Sequence, residues 1–596
     1  MSEEPQPTTE VRLSAYDGGP LGAGIDWADP NSKLAPYYLT AGGVTAAAVL
    51  GLTLFALALA PLWHTDFWVH LKYGEWIAAN RSLPGVEPLS DFTDKQKPMF
   101  DAMWLTQVGY HALFRAGESL AAGDAQRRFE GGVELVRLAH LLAAIAVVGF
   151  VGLACRRVAD SVPWATGAML FLLAAMLSPL TVQRPQLFGL ACFAALLCGL
   201  SRPAPSRAGV GWIPALMVLW ANLHGSFVVG FGLLGLFLLG RAIEVFRDGG
   251  RSALAVWRDA PLRRLLLVLG ASVAAVAVLN PYGPTLYLNV VRFGGHPNLQ
   301  TLAEWTPLDF SQRQGGHWLY LAAALLLAAT QVASPRPFSP VQVLLILTLG
   351  LWPLFQQRAM AWWLPVVPWI AAPHWVAAAD RWGLRLPESV PNFRRTVFAA
   401  LVILLAVIAS PASAWLKSGS PRPARASLHP GTPDGVAAAL RGEAPADPER
   451  VQALARVVRE WHGGRYAGRV FASEIQGEYL LRSLPADAPV MLFNHAQLFA
   501  PGYWSDCLRV EAGGLGWWEF LDRHRAGVVV VEADLHPALC QELRGSRHWE
   551  VVVDEARAPA RDAYSRLFVA VRKPEALVVP LAPPPHEKKG GAGHEF

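Results

Sequence analysis

Charged side chains are scarce in this chain. They make up 16% of the 596 residues against 53% hydrophobic, and the mean hydropathy is +0.29. A soluble protein carries about a quarter charged residues, so a single soluble globule is excluded. Cysteine is rare as well, at five. No CxxC pair or spaced Cys/His set occurs, which excludes a structural zinc site. Cys155, Cys192 and Cys198 fall in or beside apolar runs and read as small apolar residues. Cys507 and Cys540 either pair in an oxidising compartment or stand as two separate thiols. The net charge of +5 is spread over particular loops. With no basic patch in view, nucleic acid is not an expected partner. There is no glycine-rich phosphate loop and no internal repeat. Residues 1–37 lack the basic start and apolar core of a cleavable signal, so the first apolar run is expected to serve as an uncleaved anchor.

Long apolar runs are what the chain has instead. They lie near 38–62, 132–154, 162–178, 185–200, 209–221, 225–241, 264–279, 317–332, 340–355, 360–376 and 396–415. The expected fold is a polytopic α-helical membrane protein of about eleven spans with a C-terminal soluble α/β domain. Placing the N-terminus in the cytoplasm puts the basic positions Arg156, Arg157, Arg202, Arg207, Arg381, Arg385, Arg394, Arg395 and the loop 241–264 inside. The segment 63–131, the turns at 179–184, 222–224 and 356–359, the segment 280–316 and everything after 415 then emerge outside. The expected domains are a cytoplasmic tail at 1–37, a membrane domain at 38–415 with a long first outer loop at 63–131, and a linker at 416–449. A periplasmic α/β domain at 450–573 and a disordered tail at 574–596 follow. In the domain, 469–473, 488–493, 526–532, 549–554 and 566–571 read as strands of a mostly parallel sheet. Residues 451–461, 477–484 and 515–524 read as helices.

The unusual polar residues gather in the outer segments. Asp66 and His70, in WHTDFWVHLKYGEWI, share one face if 64–79 is helical. Polar groups at the mouth of a span are costly unless they pair or meet a ligand. Asp66 is therefore a candidate general base or, with His70, a candidate ligand for a divalent cation, magnesium or manganese. Asp91, in the Pro-bounded loop VEPLSDFTD, is a second candidate catalytic carboxylate. Asp101 precedes the periodic run AMWLTQVGYHALF and is expected to cap its helix. Arg184 in TVQRPQLF is a lone cation at a helix start, electrostatically poor unless it meets an anion, and Arg358 in FQQRAMAWW stands near another span end. Asn222 and His224 in WANLHGSF need partners at that depth. Tyr282 in NPYGP and Glu304 and Trp305 in AEWTPLDF complete the expected substrate-binding set. Carboxylates, helix-end arginines and tryptophans on one face suit an amphiphilic donor with a phosphate between its lipid and its polar head.

DFWVHLKYGEWI, QRPQLF, NLHGSF, NPYG and AEWTPLDF, with RVFASEIQGEYLL in the tail, resemble the pattern of a bacterial branch of the multi-span glycosyltransferases of the GT-C type that use polyprenyl-phosphate sugars. Protein mannosyltransferases, lipid A aminoarabinose transferases and oligosaccharyltransferases belong to that superfamily. The resemblance implies an acidic residue just after the first span, here Asp66, a long first outer loop and an outer soluble domain. No Asp-x-Asp pair follows the first span, and the tail has no WWDYG motif; GYWSDC and GWWEF only echo it.

The expected function is a membrane glycosyltransferase at the bacterial inner membrane. It would move sugar from a polyprenyl-phosphate donor to a glycan, lipid or protein acceptor on the outer face. A flippase for lipid-linked sugars would instead need polar groups at mid-span and often two related halves. A non-catalytic envelope assembly protein would bind its partner through the tail with the loop acids dispensable.

Overall fold

The computed structural model describes residues 34–577 except 63–64, 203–208, 312–314, 385–388, 446 and 561. Trp63, Arg207, Arg385, most of the expected N-terminal tail and the chain end from 578 lie outside the described residues.

Helices occupy all of the apolar runs. The first eight helices are α1 (Ala41–Leu59), α2 (Trp68–Asn80), α3 (Trp104–Leu120), α4 (Ala125–Ala159), α5 (Val162–Thr181), α6 (Gln186–Leu200), α7 (Gly209–Leu223) and α8 (Phe227–Asp248). Among the described residues, six helices are long and apolar enough to cross a membrane: α1, α4, α5, α8, Ala260–Leu279 and Gly316–Ala333. The pair Phe393–Ala409 and Pro411–Ser418 makes a seventh if its 74° bend is counted as one span, and α6, α7 and Pro340–Leu354 are shorter apolar helices. Local chemistry sets the ends. Thr40 caps α1 by accepting from the Gly43 N–H, and Asp124 caps α4 through the Arg127 N–H. That cap starts α4 at residue 125; its first turn, 125–128, is exposed, and burial begins at Glu130. Arg156 and Arg157 fall in the last turn of α4, where cations complement the helix dipole.

Between 340 and 366 the backbone is irregular. A short helix at Pro340–Leu345 passes through a π turn at Ile346–Gly350 and 3-10 turns at Trp352–Leu354 and Gln357–Ala359 before Met360–Trp363 resumes. Pro353 cannot donate the N–H a continuing helix needs. Broken helix at membrane depth is tolerated where it lines a cavity, and here it does.

The C-terminal domain carries four strands, β1 (Arg469–Ala472), β2 (Ala526–Glu532), β3 (Trp549–Asp554) and β4 (Leu567–Arg572), in the order β1-β2-β4-β3. Only β1 and β2 run parallel; β2–β4 and β3–β4 are antiparallel, so the sheet is mixed and not mostly parallel. The stretch 488–493 adds one isolated bridge, Val470 to Val490. Pro489 has no N–H to offer, and the Val490 carbonyl accepts from Ser90 Oγ of the outer segment instead of a strand. Residues 416–449, expected as a linker, include the helix Asp434–Arg441, whose Val436, Ala437 and Leu440 are buried in the domain core. All five cysteines are free and buried, Cys507 and Cys540 included.

The domain sits on the end of the bundle that carries α2 and α3. One apolar core runs from Trp68, Tyr110 and Val133 into Phe471, Leu480 and Val529. Arg482 of the domain lies 4.9 Å over the Phe114 ring and 5.7 Å over Trp68. A second apolar core fills the helical bundle itself.

Candidate functional site

Four charged residues from distant segments meet beneath the domain in a line of alternating sign. Arg184 Nε lies 2.7 Å from Asp66 Oδ2, and Arg184 Nη1 lies 3.0 Å from Glu304 Oε2. Glu304 Oε1 in turn stands 2.5 Å from Arg358 Nη1. Arg358 also lies 5.5 Å over the Trp305 ring. The line is closed at its other end by the domain, where Asn494 Nδ2 donates to Asp66 Oδ1 at 3.1 Å. Burial opposes the charge on Glu304, but Arg358 and Arg184 outweigh it and hold the carboxyl below the usual carboxylate range. The lone arginines thus have an anion, as their positions require, and it is a carboxylate of the chain.

Arg358 also belongs to the wall of a cavity of about 310 Å³. Its lining includes the polar side chains of Asp101, Gln107, His224, His495 and Arg358 and the apolar side chains of Val228 and Val229 of α8 and of Val290 and Phe293 of Thr285–Gly294. Trp305 and Trp352 add flat faces, and Gln497 and Leu498 of the C-terminal domain roof it. The broken helix supplies Trp352, Gln356, Arg358, Ala359 and Trp362 to one wall.

Part of the polar lining is built where α2 crosses α3. Gln107 of α3 donates through Nε2 to Asp101 Oδ1 at 3.1 Å and stands 3.1 Å from His70 Nδ1. Asp101 Oδ1 also accepts from the Met103 N–H at 3.0 Å, but Met103 is itself the N-cap of α3 and no side chain caps that helix, so Asp101 does not perform the capping expected of it. Its other oxygen, Oδ2, is buried without a hydrogen-bond partner. Burial raises the Asp101 carboxyl to about 6 against the pull of those two donors. The histidines here are neutral. Burial lowers His70 well below its ordinary value, helped by His495 and His224. Burial also brings His495 down to about 4, and burial with the Arg358 charge brings His224 to about 3. The rings of His70 and His495 are 4.9 Å apart.

Several expectations need correction. Asp66 does not share a helical face with His70, because α2 begins at Trp68 and Asp66 precedes it with φ 60°, in the left-handed region. Asp66 Oδ2 faces Arg184 and Oδ1 faces Asn494, while His70 Nδ1 faces Gln107, so the two residues expected to share a cation stand with different partners. No group of three or more His, Cys, Asp or Glu able to hold a metal occurs among the described residues. Asp91 stands exposed in a turn and belongs neither to the ion-pair line nor to the cavity wall; a loop without periodicity carried no signal of its direction. Asn222, expected to bind substrate, has its capacity used within the protein. Its Oδ1 accepts from Trp104 Nε1 and Asn280 Nδ2, and its Nδ2 donates to the Val218 carbonyl. Tyr282 is a support: its hydroxyl accepts from the Asp101 N–H at 2.9 Å. His224, Trp305 and Arg358 line the cavity, while Arg184 and Glu304 stand behind Arg358.

Gln107, Glu478, Asn494 and His495 are absent from the expected set, and Asp101 was expected only to cap its helix. Glu478 is fully buried; burial first, then the Asp66 charge, raise its carboxyl well above the usual range. An Asp followed six residues later by Gln was the one local signal for the Asp101 pair.

No family model matches the chain, nor does any curated protein. Among solved structures, it is similar to the apo oligosaccharyltransferase of Archaeoglobus fulgidus, at 14% identity over 83% of this chain and 70% of that one, with a TM-score of 0.47. ArnT from Cupriavidus metallidurans bound to undecaprenyl phosphate gives 16% identity over 88% of this chain and 97% of that one, with a TM-score of 0.42. The arabinofuranosyltransferase AftD from Mycobacteria gives 18% identity over 88% of this chain and 41% of that one, with a TM-score of 0.47.

Proposed function

We propose that this protein is a membrane glycosyltransferase of the GT-C type. It crosses the bacterial inner membrane several times and moves a sugar from a polyprenyl-phosphate donor to a glycan, lipid or protein acceptor on the outer face. The observation that carries this is Arg358, a guanidinium on the wall of a cavity whose lining holds both polar and apolar side chains. The lipid chain would lie against Val228, Val229 and Val290. The phosphate would meet Arg358, which exchanges part of its Glu304 contact for the new anion, and the sugar would lie against Trp305 and the neutral imidazoles of His224 and His495. As the bond from the anomeric carbon to the phosphate oxygen breaks, negative charge grows on the phosphate, and a fixed cation there lowers the barrier. Arg184, held by Asp66 and sharing Glu304, keeps that carboxylate from neutralising Arg358 completely. Asp66 is a positioning residue in this scheme.

The test is release of free polyprenyl phosphate by the full-length protein in proteoliposomes, supplied with a panel of polyprenyl-phosphate sugars and an envelope extract as acceptor. Arg358→Gln should lower the rate about 10²-fold or more. Movement of the sugar lipid between leaflets with its glycosidic bond intact would replace this assignment with a flippase, and no release from any donor would remove it.

A further inference from the structure

His224 is fixed by its neighbours at one ring nitrogen and left open at the other. It stands in the turn between α7 and α8 and lines the cavity together with Arg358. The Ser226 N–H donates to its Nδ1 at 3.1 Å. A backbone N–H can only donate, so Nδ1 is the accepting nitrogen of the ring. Ser226 Oγ lies 2.7 Å from the same Nδ1, and Trp220 Nε1 donates to Ser226 Oγ at 3.0 Å. The hydroxyl accepts from the indole and so turns its own hydrogen toward Nδ1. The ring is neutral, because burial first and then the Arg358 charge oppose its protonation. A neutral imidazole whose Nδ1 accepts carries its one proton on Nε2.

The fold makes room for this relay. A Cβ on Gly189 of α6 would come within 2.7 Å of Ser226 Oγ and 2.9 Å of Trp220 Nε1. Trp220 is fully buried, so the relay is anchored in the core of the bundle. Its far end is free. His224 Nε2 makes no hydrogen bond among the described residues, and it is not one of the unpaired side-chain atoms closed off from solvent, as Asp101 Oδ2 and His495 Nδ1 on the same wall are. On a residue that lines the cavity, this leaves an N–H donor open to the cavity space.

We propose that Trp220 and Ser226 lock His224 in the Nε2–H tautomer, and that this N–H donates to a phosphate oxygen of the bound polyprenyl phosphate beside Arg358. The identity of the ligand rests on the donor proposed above. A group that only donates matches phosphate oxygens that only accept, and a hydrogen bond to an anion is stronger than one between neutral groups. A sugar hydroxyl turns either way and does not require a fixed tautomer. Arg358 supplies the charge at this point and His224 the direction; the imidazole keeps its Nε2 proton throughout. Ser226 and Trp220 are positioning residues.

The experiment has two arms, both on the full-length protein in lipid nanodiscs. In the first, nitrogen NMR shifts of isotope-labelled histidine report the tautomer. His224 is assigned through Leu223–His224–Gly225, a sequence that occurs once in the chain. Nδ1 should show the shift of a bare nitrogen and Nε2 that of a protonated one. The reverse pattern, or an averaged mixture, overturns the lock, and this arm needs no substitution. In the second, affinity for undecaprenyl phosphate is compared with affinity for undecaprenol, which has the same chain and no phosphate. His224→Ala should weaken binding of undecaprenyl phosphate about tenfold or more and leave that of undecaprenol unchanged. His224→Gln, which can offer an amide N–H near the same point, should recover most of the loss. Equal weakening for both lipids would make His224 a packing residue, and undiminished affinity of His224→Ala for undecaprenyl phosphate would remove it from the site; either result overturns the proposal. Failure of the proposed function reads differently. A parent protein that moves the sugar lipid between leaflets with its bond intact keeps the His224 effect on phosphate binding, whereas a parent that does not bind undecaprenyl phosphate loses both.

Discussion

Two aspartates carry different burdens. Asp66 pairs with Arg184 with 19% of its side chain exposed, and Arg184 is 32% exposed. Solvent screens such a pair in part, so its loss costs less than that of a dry ion pair. Asp66→Asn is expected to lower stability by roughly 1–2 kcal/mol, read as a fall in melting temperature. Because Arg184 would then pull harder on Glu304 and loosen it from Arg358, the kinetic loss should appear in KM for the donor more than in kcat. Asp101 has the reverse sign. Its folded-state value of about 6 stands above the ordinary 3.8. Its contribution to stability is therefore complete below about pH 4 and is lost as pH rises through about 6. Other buried carboxyls titrate too: Glu511 is raised to about 7 and Glu474 to about 8, both by burial first. The difference in melting temperature between the parent and Asp101→Asn isolates the Asp101 share. The variant should match the parent at pH 4 and exceed it at pH 8.

At the level of elements, the site depends on how closely α2 and α3 cross. A Cβ on Gly74 would come within 1.9 Å of the Gln107 carbonyl oxygen, which is backbone and cannot swing away. Gly74→Ala must push α3 outward, and Gln107 and Asp101 with it. Overpacking of this kind costs about 1–3 kcal/mol. The expected result is a lower melting temperature and a loss of transfer that a second change at the cavity does not restore. Neither effect would be seen if the helices crossed elsewhere. The helices themselves were legible, because an apolar run of span length has few other uses. Arg184 and Arg358 could be singled out because a lone cation at such a helix end needs an anion, and each finds Glu304. The direction of Asp91 was not legible, since a Pro-bounded loop has no period. Nor was the start of α2 after Asp66, which turns on one left-handed residue. The broken helix at 346–363 looked like two short spans because only its apolarity, and not its irregular backbone, is written in the residues.

Across the whole molecule, the cavity exists because the C-terminal domain is pinned over it. Asn494 reaches Asp66 from 428 residues away in the chain, a separation over which periodicity and motif carry no information. A hydrophobic α/β domain was readable from its strands, but its seat on the bundle was not. The pins are polar and few. Asn298 Nδ2 donates to the Ala496 carbonyl at 2.7 Å and to the Phe499 carbonyl at 3.0 Å, bracketing the loop that supplies Gln497 and Leu498 to the roof. Trp504 Nε1 donates to Thr301 Oγ1 at 2.9 Å, and the Asp94 N–H to the Leu498 carbonyl at 2.8 Å. Asn298 is buried, so Asn298→Ala leaves the buried Phe499 carbonyl without its donor and the Ala496 carbonyl with the Phe499 N–H alone, a cost of roughly 1–3 kcal/mol. The loss should be local, since the apolar core joining α2 and α3 to the domain is untouched. We therefore expect faster amide exchange and easier proteolysis across 494–504 with little change in exchange within β2 and β4, and a higher donor KM as the roof loosens. Equal exchange in parent and variant across that loop would show that the domain is held over the cavity by its apolar contacts alone.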